Sequence, residues 1–448
     1  MSQKIAASIE FRYAAQREYH YTQVNKHARF EYHYAELHAR PFSRSRVPLR
    51  ISQLCFLHDE HSCAARELTH LARICERYGI NPPKAGASCF YQRLGDFEIR
   101  YERHTEFSSY SFILHDVESQ PFAHPPIALV PADWLQQISG QVISAVHIEA
   151  LAENAINLER ENLRQCFEGH RLIGSQLRQG EASVYTALRL HSDEFNRILV
   201  VNKSLNDCQS GRVLRALLEV EAYRNMTLLA FPLAQEVSAK VSDMESKLAD
   251  LLKSQHDVRT GEQDKQLLSQ LSHMAGEVAR LIADSRYRFD AATAYYQMVI
   301  SRLNELEEQE INDLQTLCAF IERRLSPANR TVIAAQRRLD DLASRVDRAS
   351  EFLRTRVDMA IEVQNQALLK SMERRARLQF NLQQTVEGLS VVVMTYYVLQ
   401  LCDYVLQAAN DLGTSVNKTL IIVLLMPIIF ALTWLLNRRI RKKFNRMK

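Results

Sequence analysis

The chain has 448 residues, of which 24% are charged, and its formal net charge at pH 7 is +4. This mild charge, with bases interleaved with acids along predicted helices, argues against a nucleic-acid partner. Only 12 residues are glycine, and none has the spacing of the two common phosphate-binding loops, which argues against nucleotide binding. The eight cysteines form no C-x-x-C pair, so we expect reduced thiols without a disulfide or a metal site.

Residues 1–206 have the mixed pattern of an α+β domain. Apolar and polar residues alternate over residues 97–102 and again over 110–114. This alternation predicts a hairpin with its turn near residues 104–106 and with one face in water. Further strands are predicted at residues 54–57, 142–148, 183–190 and 195–201. A one-faced helix is predicted over residues 62–78, with Ser62 as its N-cap and Gly79 as its end.

Residues 207–387 are composed mostly of good helix formers and predict a long helical stalk, with breaks at Gly261 and Gly276. Five apolar residues in this stalk repeat in alternating steps of three and four, which is typical of a coiled-coil seam. They are Leu339, Leu342, Val346, Ala349 and Leu353. We expect the seam to associate with other copies of the chain, and the alternative partner is the set of preceding helices of the same chain.

Two apolar segments, residues 388–407 and 420–436, predict a transmembrane hairpin. Basic residues precede the first segment and fill the tail, residues 438–448, while the connection at 408–418 holds only one acid and one base. Since basic residues favour the cytoplasmic side, we expect both termini in the cytoplasm and the connection outside. The N-terminus has no apolar run of the kind that forms a secretory signal.

A polar stripe follows one face of the first apolar segment: Tyr396, Gln400, Asp403 and Gln407. Charged residues inside a span usually face a partner or water. One interpretation is the lining of a pore or cavity in the outer half of the membrane. The other is a packing face against the second span or a neighbouring subunit, with Asp403 reaching the outer headgroups.

Two polar clusters in the first domain contain residue types that are found at chemical sites. Residues 58–61 read His-Asp-Glu-His with Cys63 nearby, but a zinc site needs three or four converging ligands, so a solvated turn is favoured. Residues 102–106 offer acids and bases at the predicted hairpin turn, but the sequence alone does not verify a spacing of nucleophile and base. The sequence therefore predicts no enzymatic activity and no cofactor.

Several stretches together resemble the bacterial, membrane-anchored domain-of-unknown-function family 3422. They lie at residues 38–42, 102–107, 217–224, 323–331, 383–390 and 395–397. The resemblance covers nearly the whole chain and implies a location in the bacterial inner membrane, but no activity. It marks motif residues whose role is unknown: His38, Arg40, Pro41, Glu102, Arg103, His104 and Glu106.

The outline also resembles the CorA-type metal-ion transporters, which have a cytoplasmic α/β domain, a long stalk helix, two spans and a basic tail. Their Gly-Met-Asn signature after the first span is missing, because that place reads Asn410-Asp411-Leu412-Gly413. The resemblance therefore implies a layout and does not imply magnesium selectivity.

The sequence thus predicts a helix-dominated α+β protein with a cytoplasmic mixed-sheet domain, a long helical stalk and a C-terminal two-helix transmembrane hairpin. The leading hypothesis for its function is a non-enzymatic inner-membrane scaffold or sensor that forms homo-oligomers and meets an unknown cytoplasmic partner. The alternative is a cation channel or transporter in which the first transmembrane helix lines the pore, and only then would a monovalent or divalent cation bind.

Overall fold

A computed structural model describes residues 27, 30, 44–59, 62–116, 120–156, 159–253, 261–311, 313–411 and 418–444. The protein is a helix-dominated α+β protein, 64% helical, with one mixed sheet and two candidate apolar helices. It divides into two compact units. The first comprises Met1–Asp250 and Met274–Val346, and the second Leu251–His273 and Asp347–Lys448. The predicted domain boundaries at residues 206, 387 and 437 stay predictions.

Among the described residues of the first unit, nine strands form a single sheet. They are β1 Leu49–Leu57, β2 Cys89–Leu94, β3 Phe97–Arg103, β4 Phe107–Leu114, β5 Gln141–Ala152, β6 Ile173–Leu177, β7 Ala182–Thr186, β8 Asn196–Asn202 and β9 Gln309–Glu310. Their order in the sheet is β2-β3-β4-β1-β5-β8-β7-β6-β9. The β5–β8 pair is parallel and the other pairs are antiparallel, which makes the sheet mixed.

Eight α-helices lie in the described parts of the chain. They are α1 Ala64–Arg77, α2 Ala132–Leu135, α3 Arg160–Cys166, α4 Asp207–Leu228, α5 Ala230–Lys253, α6 Gly261–Glu305, α7 Leu317–Asp411 and α8 Lys418–Phe444. Helix α1 packs on one face of the sheet in a cluster with residues of β3 and β4. Helix α4 packs on the opposite face, where its apolar side chains meet those of β1, β5 and β8.

The predicted hairpin is confirmed, because β3 and β4 are adjacent antiparallel strands. The prediction that one of its faces is in water is wrong. Ser109 and Ser111 of β4 are buried on the α4 side of the sheet, in a cleft also lined by Leu214 and Tyr223 of that helix. Alternation in a single strand shows that its two faces differ in polarity, but it does not show whether another element covers the polar one.

Helix α1 ends before Gly79, whose positive φ of 64° suits the predicted stop. Ser62 is not its N-cap. The cap position is Cys63, and the Ser62 hydroxyl instead donates to the Asp59 carboxylate at 2.7 Å. Among the predicted breaks, Gly261 begins α6, whereas Gly276 lies inside that helix.

In the first unit, α5, α6 and α7 bury apolar stripes at heptad spacing. The stripe of α5 is Ala230, Ala234, Val237, Val241, Met244 and Leu248. Cross-helix polar contacts accompany these stripes: Arg338 of α7 pairs with Glu245 of α5 at 2.6 Å, and Gln336 donates to Asp290 of α6 at 3.0 Å. Leu339, Leu342 and Val346 are at most 2% exposed. The seam in this unit is therefore buried by helices of the same chain, the alternative that the sequence had left open.

In the second unit, residues 261–273 of α6 and the part of α7 from Asp347 onward show the same pattern. Leu267, Leu271, Leu353 and Val357 are buried, and Arg356 pairs with Asp264 at 3.2 Å. Helices α7 and α8 meet where the Thr395 and Thr433 hydroxyls are 2.9 Å apart. By length and composition, both of these helices are able to cross a membrane.

Candidate functional site

The β3–β4 turn brings the two polar clusters of the sequence together around one buried carboxylate, that of Glu67. Glu67 lies on α1, and only 3% of it is exposed. Its Oε2 accepts hydrogen bonds from the Tyr101 hydroxyl at 2.6 Å and from the Ser108 hydroxyl at 2.7 Å, while Oε1 pairs with Arg103. Tyr101, Arg103 and Ser108 point to this side of the sheet because alternate side chains of a strand share one face.

The carboxylate of Glu67 is held in its ionised form. Burial raises its pKa, but the hydrogen bonds from Arg103, Ser108 and Tyr101 outweigh burial and hold the pKa below its usual value. Burial also raises the pKa of the Tyr101 phenol, and its bond to the carboxylate adds to this effect. The cluster therefore combines an anionic carboxylate with a neutral phenol.

His58 completes the cluster but does not activate Ser108. Its Nε2 lies 2.9 Å from the Ser108 hydroxyl oxygen and 3.6 Å from Glu67 Oε1. Because the hydroxyl proton is donated to Glu67, the Nε2–H must donate to the serine oxygen. Burial and the charge of Arg103 lower the pKa of His58, which favours this neutral form. A serine nucleophile needs the reverse arrangement, with the imidazole accepting the hydroxyl proton.

The opposite face of the hairpin carries a second ion-paired group. Arg100 donates to Glu102 at 2.6 and 3.1 Å within β3. Burial raises the pKa of Glu102. The charge of Arg100 is the largest of the effects that lower this pKa, and together they outweigh burial. These residues line a cleft of about 50 Å³ between the sheet and α4.

The remaining motif residues of the turn contact neighbouring elements. His104 stacks on Phe107, with ring centroids 4.2 Å apart, and also meets Tyr223 of α4 edge-on. Glu106 forms an ion pair with Arg288 of α6, and its carbonyl accepts the His58 amide at 2.8 Å. The turn thus joins β1, α4 and α6.

The motif residues His38, Arg40 and Pro41 lie outside the described residues, as do positions 60 and 61 of the His-Asp-Glu-His stretch. Within the described ranges, no group of three or more His, Cys, Asp or Glu side chains is placed to hold a metal ion. Ser108 is only 2% exposed, so a substrate would have no access to its hydroxyl. The described contacts of these residues hold the hairpin between α1, α4 and α6.

The polar stripe of the first apolar segment does not coincide with the face that meets α8. That face contains Val391 and Thr395, which are buried, and the matching residues of α8 are Ile429 and Thr433. In contrast, Tyr396 is 61% exposed in the single chain. Gln407 is also exposed, and Gln400 and Asp403 are half-buried. The four residues of the stripe therefore do not all pack against the second span in the described structure.

Comparison with known families gives a match across nearly the whole chain. The family model described as protein of unknown function (DUF3422) covers residues 25–444. The chain belongs to this family. No curated protein matches the chain. No solved structure matches it either, so the resemblance in outline to CorA-type transporters is not confirmed.

The motifs of this DUF3422 member do not include Glu67, but the sequence does indicate that this residue is buried. Glu67 lies four and seven positions before Leu71 and Ile74, so it shares the apolar face of α1 with them. A carboxylate on a buried helix face requires a partner. Arg103 is one of the motif residues on the predicted hairpin, but its pairing with Glu67 depends on the packing of α1 on β3.

Proposed function

We propose that the protein is a non-enzymatic, oligomeric scaffold or sensor, anchored in the inner membrane by a hairpin of its two apolar helices. The observation that carries this proposal is the exposed stretch of α7 from Asp358 to Val386. All of its side chains are exposed in the single chain. Ten large apolar residues within it are 43–68% exposed: Met359, Ile361, Val363, Leu368, Leu369, Met372, Leu378, Phe380, Leu382 and Val386.

A second copy of the same helix is the partner that suits this stretch. Large exposed apolar surface outside a membrane usually marks an interaction site. Ile361, Leu368 and Leu382 recur at multiples of seven residues and so share one helix face. Copies anchored in one membrane would present this face at the same height, as a symmetric oligomer requires. Burying each such side chain contributes about 1.5–3 kcal/mol.

A matched pair of double variants tests the association in the full-length protein reconstituted in nanodiscs. Leu368→Glu with Leu382→Glu places two charges on the heptad face, while Val363→Glu with Phe380→Glu places two charges elsewhere on the helix. We expect the first pair to convert the wild-type oligomer to monomers and the second pair to leave it assembled, as measured by native mass spectrometry. A monomeric wild type, or equal effects of both pairs, would refute the proposal.

The proposed topology places both termini in the cytoplasm and the connection at 408–418 outside. It is supported by the basic residues that flank the two apolar segments. In a cysteine-free background, Ser415→Cys should react with an impermeant thiol reagent on intact cells, while Asn445→Cys should react only after lysis. The reverse pattern would overturn this orientation and the cytoplasmic placement of the sheet.

The second candidate function is a cation conduit, and the exposure of Tyr396 away from α8 favours it. In an oligomer the polar stripe would border the central axis, where Asp403 would supply a ring of negative charge at the outer mouth. Leu389, Val392 and Val393 would form an apolar constriction further in. Asp403→Asn should then lower cation flux into vesicles without dissociating the oligomer. Absence of flux in the wild type, or an unchanged flux in the variant, would eliminate this candidate.

A further inference from the structure

A groove beside the C-terminal end of α4 combines an apolar floor with arginines. It lies where the loop after β7 meets the end of α4 and the first turns of α7, and its volume is about 240 Å³. Ile321 and Leu325 form its buried floor, and Leu188 and Leu228 line its sides. Leu228 is 38% exposed, so the groove is open to ligands.

Two of the three arginines in this groove carry positive charge that the described residues do not neutralise. Arg224 is neutralised by Glu221, which accepts from it at 2.5 and 2.8 Å. Arg324 stacks on the Phe320 ring, its guanidinium carbon 3.7 Å from the ring centroid. Arg189 is exposed. Neither Arg189 nor Arg324 has a carboxylate partner within the described ranges.

We propose that this groove binds a small amphipathic carboxylate, such as a medium-length acyl anion. Stacking occupies the flat face of the Arg324 guanidinium and leaves its N–H edge free to donate to a carboxylate. The apolar floor suits a hydrocarbon body beside that head. The volume of about 240 Å³ suits a medium-length chain, whereas a peptide helix about 10 Å across would not enter.

This inference does not rest on oligomerisation or on membrane anchoring, because every residue of the groove lies in the first compact unit. The anion would bind to the loop after β7 and to the first turns of α7 at once. Its binding would therefore stabilise the contact between these two elements by mass action.

Photo-crosslinking of the full-length protein in detergent, read out by peptide mass spectrometry, tests the site. The probe is a ten-carbon carboxylate with a diazirine on its chain, and the control probe is the corresponding alcohol. Both probes are expected to enter the apolar segments of α7 and α8 through the micelle. Only the carboxylate should label peptides containing Leu188 or Ile321, and unlabelled decanoate should compete with this labelling.

Arg189→Gln with Arg324→Gln should reduce groove labelling by about tenfold, because charge-assisted hydrogen bonds are lost. The exposed neighbour Arg323, changed to Gln, is the matched control and should leave labelling unchanged. Leu228→Asp should also prevent labelling, by repulsion at the rim, without altering the far-ultraviolet circular dichroism. Groove labelling by the alcohol, labelling confined to α7 and α8 beyond residue 388, or competition by an acidic peptide and not by decanoate would each overturn the proposal.

Discussion

His147 provides the sharpest test of the structure, because its burial links folding to pH. It lies on β5 and is 2% exposed, with its ring stacked on Phe195 at a centroid distance of 3.9 Å. Among the described residues, neither of its ring nitrogens has a hydrogen-bond partner. The nearest acid is Asp193, whose Oδ2 is 3.9 Å from Nε2. His147 is therefore buried as a neutral imidazole.

Burial lowers the pKa of His147 from 6.5 to about 4. Asp193 opposes this shift, and the charges of Arg197 and His191 add to it. In the unfolded chain the imidazole takes up a proton near pH 6.5, so the unfolded state binds more protons between pH 6.5 and 4. The stability contributed by neutral His147 is complete above pH 6.5 and is lost as the pH falls to about 4. At about 1.4 kcal/mol per pH unit, the loss amounts to roughly 3 kcal/mol.

His147→Leu removes the titrating group and should abolish this part of the pH dependence. At pH 7 the variant should be about as stable as the wild type, because it also removes two unpaired ring nitrogens from the interior. Phe195→Leu is the control: it removes the stacking partner and keeps the titrating imidazole, so it should lower stability and still show a slope between pH 6.5 and 4.5. Guanidinium unfolding of the detergent-solubilised chain is followed by the fluorescence of Trp134, in a Trp434→Phe background. A slope between pH 6.5 and 4.5 that is the same in His147→Leu and wild type would refute the reasoning.

Three further predictions concern the packing of the first unit, each measured by the same unfolding assay. Glu67→Gln should cost about 2–4 kcal/mol because it leaves Arg103 without its anion, and a loss below about 1 kcal/mol would contradict the pairing. Leu342→Ala should cost about 2–5 kcal/mol even in dilute protein, since its partner is in the same chain; a cost that appears only on oligomerisation would contradict this. Ser175→Ala should cost about 1–2 kcal/mol by removing its bonds to Glu308 and to the first turn of α7, and an unchanged stability would show that those bonds do not hold the helix.

The hairpin and the long helices could be predicted from the sequence because their signals are local. Alternation over residues 97–102 and 110–114 suffices to indicate β3 and β4, and the helix formers after residue 207 indicate α4 to α7. The sequence patterns do not predict the short strands β2, β6 and β9. Strand β9 has only two residues, and its pairing with β6 spans more than 130 positions.

Partners that come from elsewhere in the chain could not be read from local patterns. The heptad seam showed that Leu339 and Leu342 require an apolar partner, but self-association and intramolecular packing leave the same pattern in the sequence. The helix break expected at Gly276 also failed. A single glycine costs about 1 kcal/mol in a helix, and the buried stripe of α6 on both sides of it outweighs that cost.

The start of α7 is attached to the sheet by buried polar contacts, and this attachment bears on the sensor part of the proposal. The Glu308 Oε2 accepts from the Cys318 amide at 3.0 Å and from the Ser175 hydroxyl at 3.1 Å, while the Leu317 amide donates to that same hydroxyl at 3.1 Å. Ser175 belongs to β6, so the first turn of α7 is held by the sheet edge. The first amides of a helix have no acceptor within the helix, so the Leu317 and Cys318 amides depend on Ser175 and Glu308. A ligand that shifted this sheet edge would therefore also shift the start of α7. The sensor part of the proposal therefore places its ligand-responsive contact at the start of α7, within the first unit.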